Sequence, residues 1–178
     1  MPASEIDVPE FYLQPGEWCI VRRPSILKTV LGSCVSVTFH APRLAVSAMC
    51  HPMLPTYTAR PVVHSDLTVR SDPVAARRYV DYVIREMAQA FDRLGATRAE
   101  VEVKLFGGAD VLASSRQRAT VGRMNAETAL RVLRDEGFRL LASRLGGGRG
   151  VFIEFHTDTG EVFLRELAGM DPRALTRT

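Results

Sequence analysis

Apolar and polar positions alternate across residues 35–39, where Val35, Val37 and Phe39 are separated by small polar residues. A period of two predicts a strand, here entered through the glycine turn Leu31-Gly32-Ser33-Cys34. Residues 18–21 and 26–30 are read as short strands before it. Ala41-Pro42-Arg43 breaks the pattern, and residues 44–49 resume it as a second strand running into Cys50-His51-Pro52-Met53-Leu54-Pro55, so that the two form a hairpin. Val101, Val103 and Leu105 alternate with Glu102 and Lys104 as another half-buried strand that stops at Gly107-Gly108. Residues 138–142, 151–156 and 161–166 complete the strands, the last two joined as a hairpin across Asp158-Thr159-Gly160.

The period changes to that of a helix after Asp72-Pro73, an acceptor at the N-cap followed by proline at the first helical position. Ala76, Val80, Val83, Ile84, Met87, Phe91 and Leu94 keep one face from there to Gly95, which predicts one continuous helix. A second helix is read over residues 123–136, with Ala126, Ala129, Leu130 and Leu133 inward and Gly137 closing it. Residues 1–17 are rich in Pro and Glu, have no period and end at the turn Pro15-Gly16, as an arm or extended lead-in does. Residues 56–71 also lack a period and read as a surface loop long enough to suggest function. Strands dominate and two helices cover them, which makes the chain an α+β domain with a mostly antiparallel sheet system.

Composition narrows the classes. At 178 residues and 46% hydrophobic, the chain can bury one sizeable core. Its 23 basic residues against 20 acidic leave a formal charge of only +3, and all but Lys28 and Lys104 of the basic residues are arginines. Scattered among carboxylates, they read as a solvated surface rather than a nucleic-acid stripe. The first twenty residues carry four carboxylates and no apolar run after a basic start, and no stretch stays apolar for about twenty residues, so neither export nor membrane insertion is expected. The three cysteines Cys19, Cys34 and Cys50 cannot all pair and form no CxxC, which disfavours a disulfide framework and points to a reducing compartment.

Among these cysteines Cys34 has the most suggestive setting, although a small buried hydrophobe would serve equally well at the start of a strand. Gly32 lets the backbone approach a ligand and leaves the amides of Ser33 and Cys34 free to point at it, and a nucleophile beside such donors suits acyl transfer. His51 ends the neighbouring strand, so the hairpin can bring it to Cys34. Cys19 is read as core. Cys50 adjoins His51 on the same strand and therefore points to the opposite face. A metal set of Cys34, Cys50, His51 and His64 matches no common zinc spacing, and no metal or organic cofactor is expected. His40 and His156, at strand ends, are read as surface residues. Gly107-Gly108-Ala109 lacks the phosphate-cradling spacings and reads as a tight turn. Gly146-Gly147-Gly148-Arg149-Gly150 reads as a loop that can form a cleft lip, with Arg149 orienting a carboxylate or amide.

The segment Leu31-Gly32-Ser33-Cys34-Val35-Ser36-Val37, with His51-Pro52-Met53-Leu54-Pro55 seventeen residues on from Cys34 to His51, resembles the nucleophile and histidine motifs of the chemoreceptor glutamine deamidases of bacterial chemotaxis, the CheD family. Pro15-Gly16-Glu17, Lys104-Leu105-Phe106-Gly107-Gly108-Ala109, Gly122 with Asn125, Gly147-Gly148 and Thr159-Gly160 extend the resemblance over roughly residues 12–167. It implies a layered α/β/β sandwich in one deamidase domain over 15–168, between an arm of residues 1–14 and a tail of residues 169–178.

It also implies an amidohydrolase in which Cys34 attacks the carboxamide of a receptor glutamine and His51 is base and acid. A threonine five or six residues before the cysteine supports the site, and of the two positions, Thr29 and Lys28, Thr29 is the candidate. The family commonly has asparagine before the histidine, where this chain has Cys50. Gly32 and Ser33 with Cys34 would form the oxyanion turn. Arg149, Gly147 and Gly148, with the 56–71 loop, would wall the substrate pocket. The implied partners are chemoreceptor cytoplasmic helices and a CheC-type phosphatase, which places the chain in the cytoplasm. Two readings compete: a weakly catalytic or non-catalytic adaptor on receptors or the phosphatase, and another cysteine hydrolase acting on a thioester or peptide.

Overall fold

In the computed structural model, which describes residues 8–58, 73–110 and 120–168, nine strands and three α-helices follow one another along the chain. They are β1 (Glu10–Tyr12), β2 (Trp18–Val21), β3 (Ile26–Leu31), β4 (Val35–Ala41), β5 (Val46–Cys50), α1 (Pro73–Ala76), α2 (Val80–Arg93), β6 (Glu102–Gly107), α3 (Val121–Asp135), β7 (Leu140–Leu145), β8 (Val151–His156) and β9 (Val162–Glu166). The strands form a five-stranded sheet, β2-β5-β4-β6-β7, and a four-stranded sheet, β1-β3-β8-β9. Pairing is antiparallel except between β1 and β3 and between β6 and β7. The expected α+β sandwich is thus the one observed.

The centre of the molecule is β4, buried along its whole length. Val35, Val37 and Phe39 join side chains of α2 and α3 in one core, where the Phe39 ring meets Phe91 edge-on at 5.3 Å. A second core lies against the four-stranded sheet and holds Leu27, Leu31, Ile153 and Phe155 together with Met49 and Phe106 of the five-stranded one. The layers are therefore helices, five-stranded sheet, four-stranded sheet.

Covering both faces of β4 overturns one expectation. His40 lies in the interior at 5% exposure, because the polar face of the β4 alternation meets the second sheet instead of solvent. Its Nδ1 is 2.8 Å from Ser47 Oγ, which donates in turn to the Thr157 carbonyl at 3.0 Å. His156 is half-buried against the Phe163 ring, 5.0 Å away.

A second correction concerns the helix expected to run unbroken from residue 73. It is interrupted before α2, where Tyr79 takes an extended conformation with φ −102° and ψ 132°. The Arg78 carbonyl accepts from the Met53 and Leu54 amides at 2.8 and 3.0 Å, and the Val80 amide donates to the Leu54 carbonyl at 2.8 Å. The helical period on either side is unbroken. What stops the helix is a pairing partner more than twenty positions earlier, the segment that follows His51. The Asp72 N-cap and most of the 56–71 loop lie outside the described residues.

Candidate active site

The turn that bears Cys34 joins β3 to β4, and its three carbonyls are all engaged. Ala109 N donates to Gly32 O at 2.9 Å, Gly108 N to Cys34 O at 2.8 Å, and Asn125 Nδ2 to Ser33 O at 2.9 Å. This close fit explains the glycine that ends β6. A Cβ on Gly107 would lie 2.3 Å from the Cys34 carbonyl oxygen, and Gly107 has φ +100°, a conformation L side chains rarely adopt. With its carbonyls held by the scaffold, the turn leaves the Ser33 and Cys34 amides for another acceptor. Among the described residues no other backbone or side-chain group accepts from either, apart from the Cys34 thiol, which its own amide approaches.

His51 is held just as firmly through its backbone. Its amide donates to Glu17 O at 2.8 Å and its carbonyl accepts from Gly16 N at 2.7 Å, so the Pro15-Gly16-Glu17 turn clamps it from both sides. The next residue joins the two segments, since the Val35 amide donates to the Pro52 carbonyl at 3.3 Å. Cys34 and His51 therefore sit on directly bonded stretches of backbone.

The imidazole is oriented by Thr29. On β3 the alternation sends Thr29 inward, fully buried, and Lys28 outward, where it pairs with Glu10 at 2.7 Å and Glu154 at 3.0 Å. Thr29 Oγ1 donates to the Leu13 carbonyl at 2.8 Å and lies 2.8 Å from His51 Nδ1. A hydroxyl has one proton, and here it is committed to Leu13, so the His51 bond requires a proton on Nδ1. The Leu13 carbonyl, 3.4 Å from the same nitrogen, favours the same tautomer. Neutral His51 then carries its lone pair on Nε2, as a general base needs. The unpatterned lead-in thereby supplies two parts of the site: β1 pairs with β3, and Leu13 ends the relay.

Burial lowers the pKa of His51, partly offset by the Leu13 carbonyl and the Glu17 charge. It raises that of Cys34, partly offset by the residue's own amide. Both directions favour the uncharged forms of the thiol and the imidazole. The other cysteines stand apart. Cys50 points into the helix-side core, where desolvation pushes its thiol up to about 12 and Sγ reaches the Val37 carbonyl at 3.8 Å. It offers His51 no side-chain support. Cys19 is half-buried in the inter-sheet core, its thiol pushed up to about 11. His64 lies outside the described residues.

Beside the turn opens a cleft of about 330 Å³ lined by Gly107, Ala109, Gly146, Gly147, Gly148 and Arg149, among others. It adjoins the Cys34 turn, since the amide of Ala109, one of its lining residues, donates to Gly32 O at 2.9 Å. Cys34 and His51 are not in its lining. Sequence reasoning did not single out two contributors by their chemistry. Asn125 was visible only as a motif position, and the Leu13 carbonyl carries no side-chain signal at all.

A thiol, an oriented imidazole and two amides that no other group among the described residues engages make up the class of site that can carry acyl transfer through a thioester. Residues 63–166 match the family model described as CheD chemotactic sensory transduction. The chain is 38% identical to "Probable chemoreceptor glutamine deamidase CheD 2" of Geobacter sulfurreducens, over 94% of this chain and 96% of that one. It is 30% identical to "Chemoreceptor glutamine deamidase CheD" of Thermotoga maritima, over 86% and 90% respectively. Among solved structures, the hypothetical protein YfiH of Bacillus licheniformis aligns with a TM-score of 0.41 and 10% identity, over 71% of this chain and 49% of that one. The chain belongs to the CheD family.

Proposed function

We propose that this protein deamidates glutamine side chains of chemoreceptors to glutamate, with Cys34 as nucleophile, His51 as base and acid, and Thr29 holding the imidazole. The observation that carries the reading is the bonded series from Leu13 O through Thr29 to His51 Nδ1, built against the turn that bears Cys34. His51 Nε2 takes the thiol proton as Sγ attacks the carboxamide carbon, because burial disfavours a standing ion pair. The Ser33 and Cys34 amides receive the oxyanion, a contribution of about 3 kcal/mol per donor. The imidazolium then protonates the departing nitrogen, releasing ammonia and leaving a thioester. Water, deprotonated by His51, attacks the thioester; glutamate leaves and the thiol is restored.

A peptide amide is as reactive as a carboxamide, so selectivity rests on a pocket that admits a protruding side chain. Arg149, Gly147 and Gly148, which line the cleft beside the turn, and the loop of residues 56–71 are the proposed walls. Each turnover adds a carboxylate to a packed helical receptor, changing the charge repulsion that biases its signalling equilibrium. The family resemblance supports a CheC-type phosphatase as a second partner, a cytoplasmic location where receptor helices are within reach, and a catalytic unit centred on residues 15–168.

The test is incubation of the purified chain with receptor cytoplasmic fragments, following ammonia release and site-specific Gln to Glu conversion. Wild type converts and Cys34→Ala does not. Equal receptor binding by both, with no conversion by either, would replace the enzyme with an adaptor.

A further inference from the structure

Asn125 is fully buried on α3, and the nitrogen of its carboxamide spends both protons on the active-site backbone. Nδ2 donates to Ser33 O at 2.9 Å and to Met53 O at 3.0 Å. The first acceptor precedes Cys34 by one residue and the second follows His51 by two. The orientation is not interchangeable, because both partners are carbonyls and only the nitrogen can donate to them. Oδ1 is left buried with no partner among the described residues. An orphaned buried acceptor is uncommon, and its retention here goes with the need for two donors at one point.

The approach of α3 is itself built for this contact. A Cβ on Gly122 would lie 2.5 Å from Ala109 O and 2.7 Å from Gly108 O, so the first turn reaches the loop behind Cys34 only with glycine there.

We infer that Asn125 is a positioning residue that fixes the Cys34 turn against the His51 segment, setting the thiol where the imidazole can take its proton. The inference rests on the dyad proposed above. Losing the amide donors would let the two segments drift, separating thiol from base without removing either.

The test compares full-length wild type with Asn125→Asp, nearly isosteric but without the two donors when ionised. Turnover on a receptor cytoplasmic fragment, thermal unfolding and the pH dependence of Cys34 alkylation by iodoacetamide are measured. The variant is expected to lose at least tenfold in kcat with KM within twofold. Its alkylation profile is expected to lose the step that follows His51 deprotonation while keeping the step of the thiol itself. A folded variant with kcat within twofold of wild type overturns the inference, as does a kcat loss with the His51 step intact, which marks a merely structural role. Asn125→Ser is the second variant. Hydrogen exchange of the Asn125 side-chain amide in wild type needs no variant: slow exchange supports the doubly bonded geometry, and exchange at the rate of an exposed amide refutes it. Absence of ammonia release by wild type would sink the deamidase reading, whereas the alkylation profiles would still decide the role of Asn125.

Discussion

Replacing Thr29 with valine keeps the shape of the side chain and removes one oxygen. In the wild-type site that oxygen donates to Leu13 O and accepts from His51 Nδ1, both at 2.8 Å. Without it, Nδ1 keeps only the Leu13 carbonyl at 3.4 Å, beyond ordinary N–H···O distance. The missing bond matters most when the imidazole is charged, that is, while it holds the thiol proton. A hydrogen bond to a charged group contributes roughly 1.5–3 kcal/mol. At about 1.36 kcal/mol per decade this predicts a kcat about 10- to 150-fold lower, with KM little changed because Thr29 is buried behind the imidazole. The charged imidazole also loses an acceptor, so the pKa of His51 falls further and the acid limb of the pH–rate profile moves to lower pH. Ammonia release measured across pH, with thermal unfolding to establish that the variant is folded, reads both effects. Lys28→Met is the control, since Lys28 points outward into two exposed ion pairs and should leave kcat within twofold. A Thr29→Val protein with wild-type kcat and an unmoved acid limb would refute the relay.

The directions of the two active-site pKa shifts make a second prediction. Alkylation of wild-type Cys34 should rise in two steps, one below pH 6.5 as His51 sheds its proton and becomes a base, and one above pH 9.0 as the thiol ionises by itself. Full thiolate reactivity already reached at pH 7 would mean a standing ion pair and contradict the neutral dyad. Gly107→Ala forces a side chain into φ +100° with its Cβ 2.3 Å from the Cys34 carbonyl. The backbone strain alone costs about 1–3 kcal/mol, so denaturant unfolding should show at least that loss and deamidation should fall with it; a change below about 0.5 kcal/mol would show that the turn is not held as described.

What could be read from the sequence depended on whether the cause of each feature was local. The β8–β9 hairpin and the strand after Cys34 follow from alternation and turn residues that lie within a few positions of one another. The break before α2 does not, because Ala76 and Val80 continue a helical face and the interruption comes from Leu54 across the fold. His40 looked external because small polar residues between apolar ones usually face water; here a second sheet covers that face. Cys34, His51 and Thr29 are singled out by motif resemblance, and the structure adds why Thr29 rather than Lys28 can reach the histidine: the two alternate across β3. The part played by Leu13 was hidden, since a backbone carbonyl leaves no trace in residue type.

The hydrogen bonds that organise this site join positions 16, 22, 72 and 92 residues apart. In chain order Cys34 and His51 both come well before Asn125, the residue whose side chain ties their segments together. On the proposed mechanism competence then waits on α3: two segments made early acquire their common tie only from a helix made later.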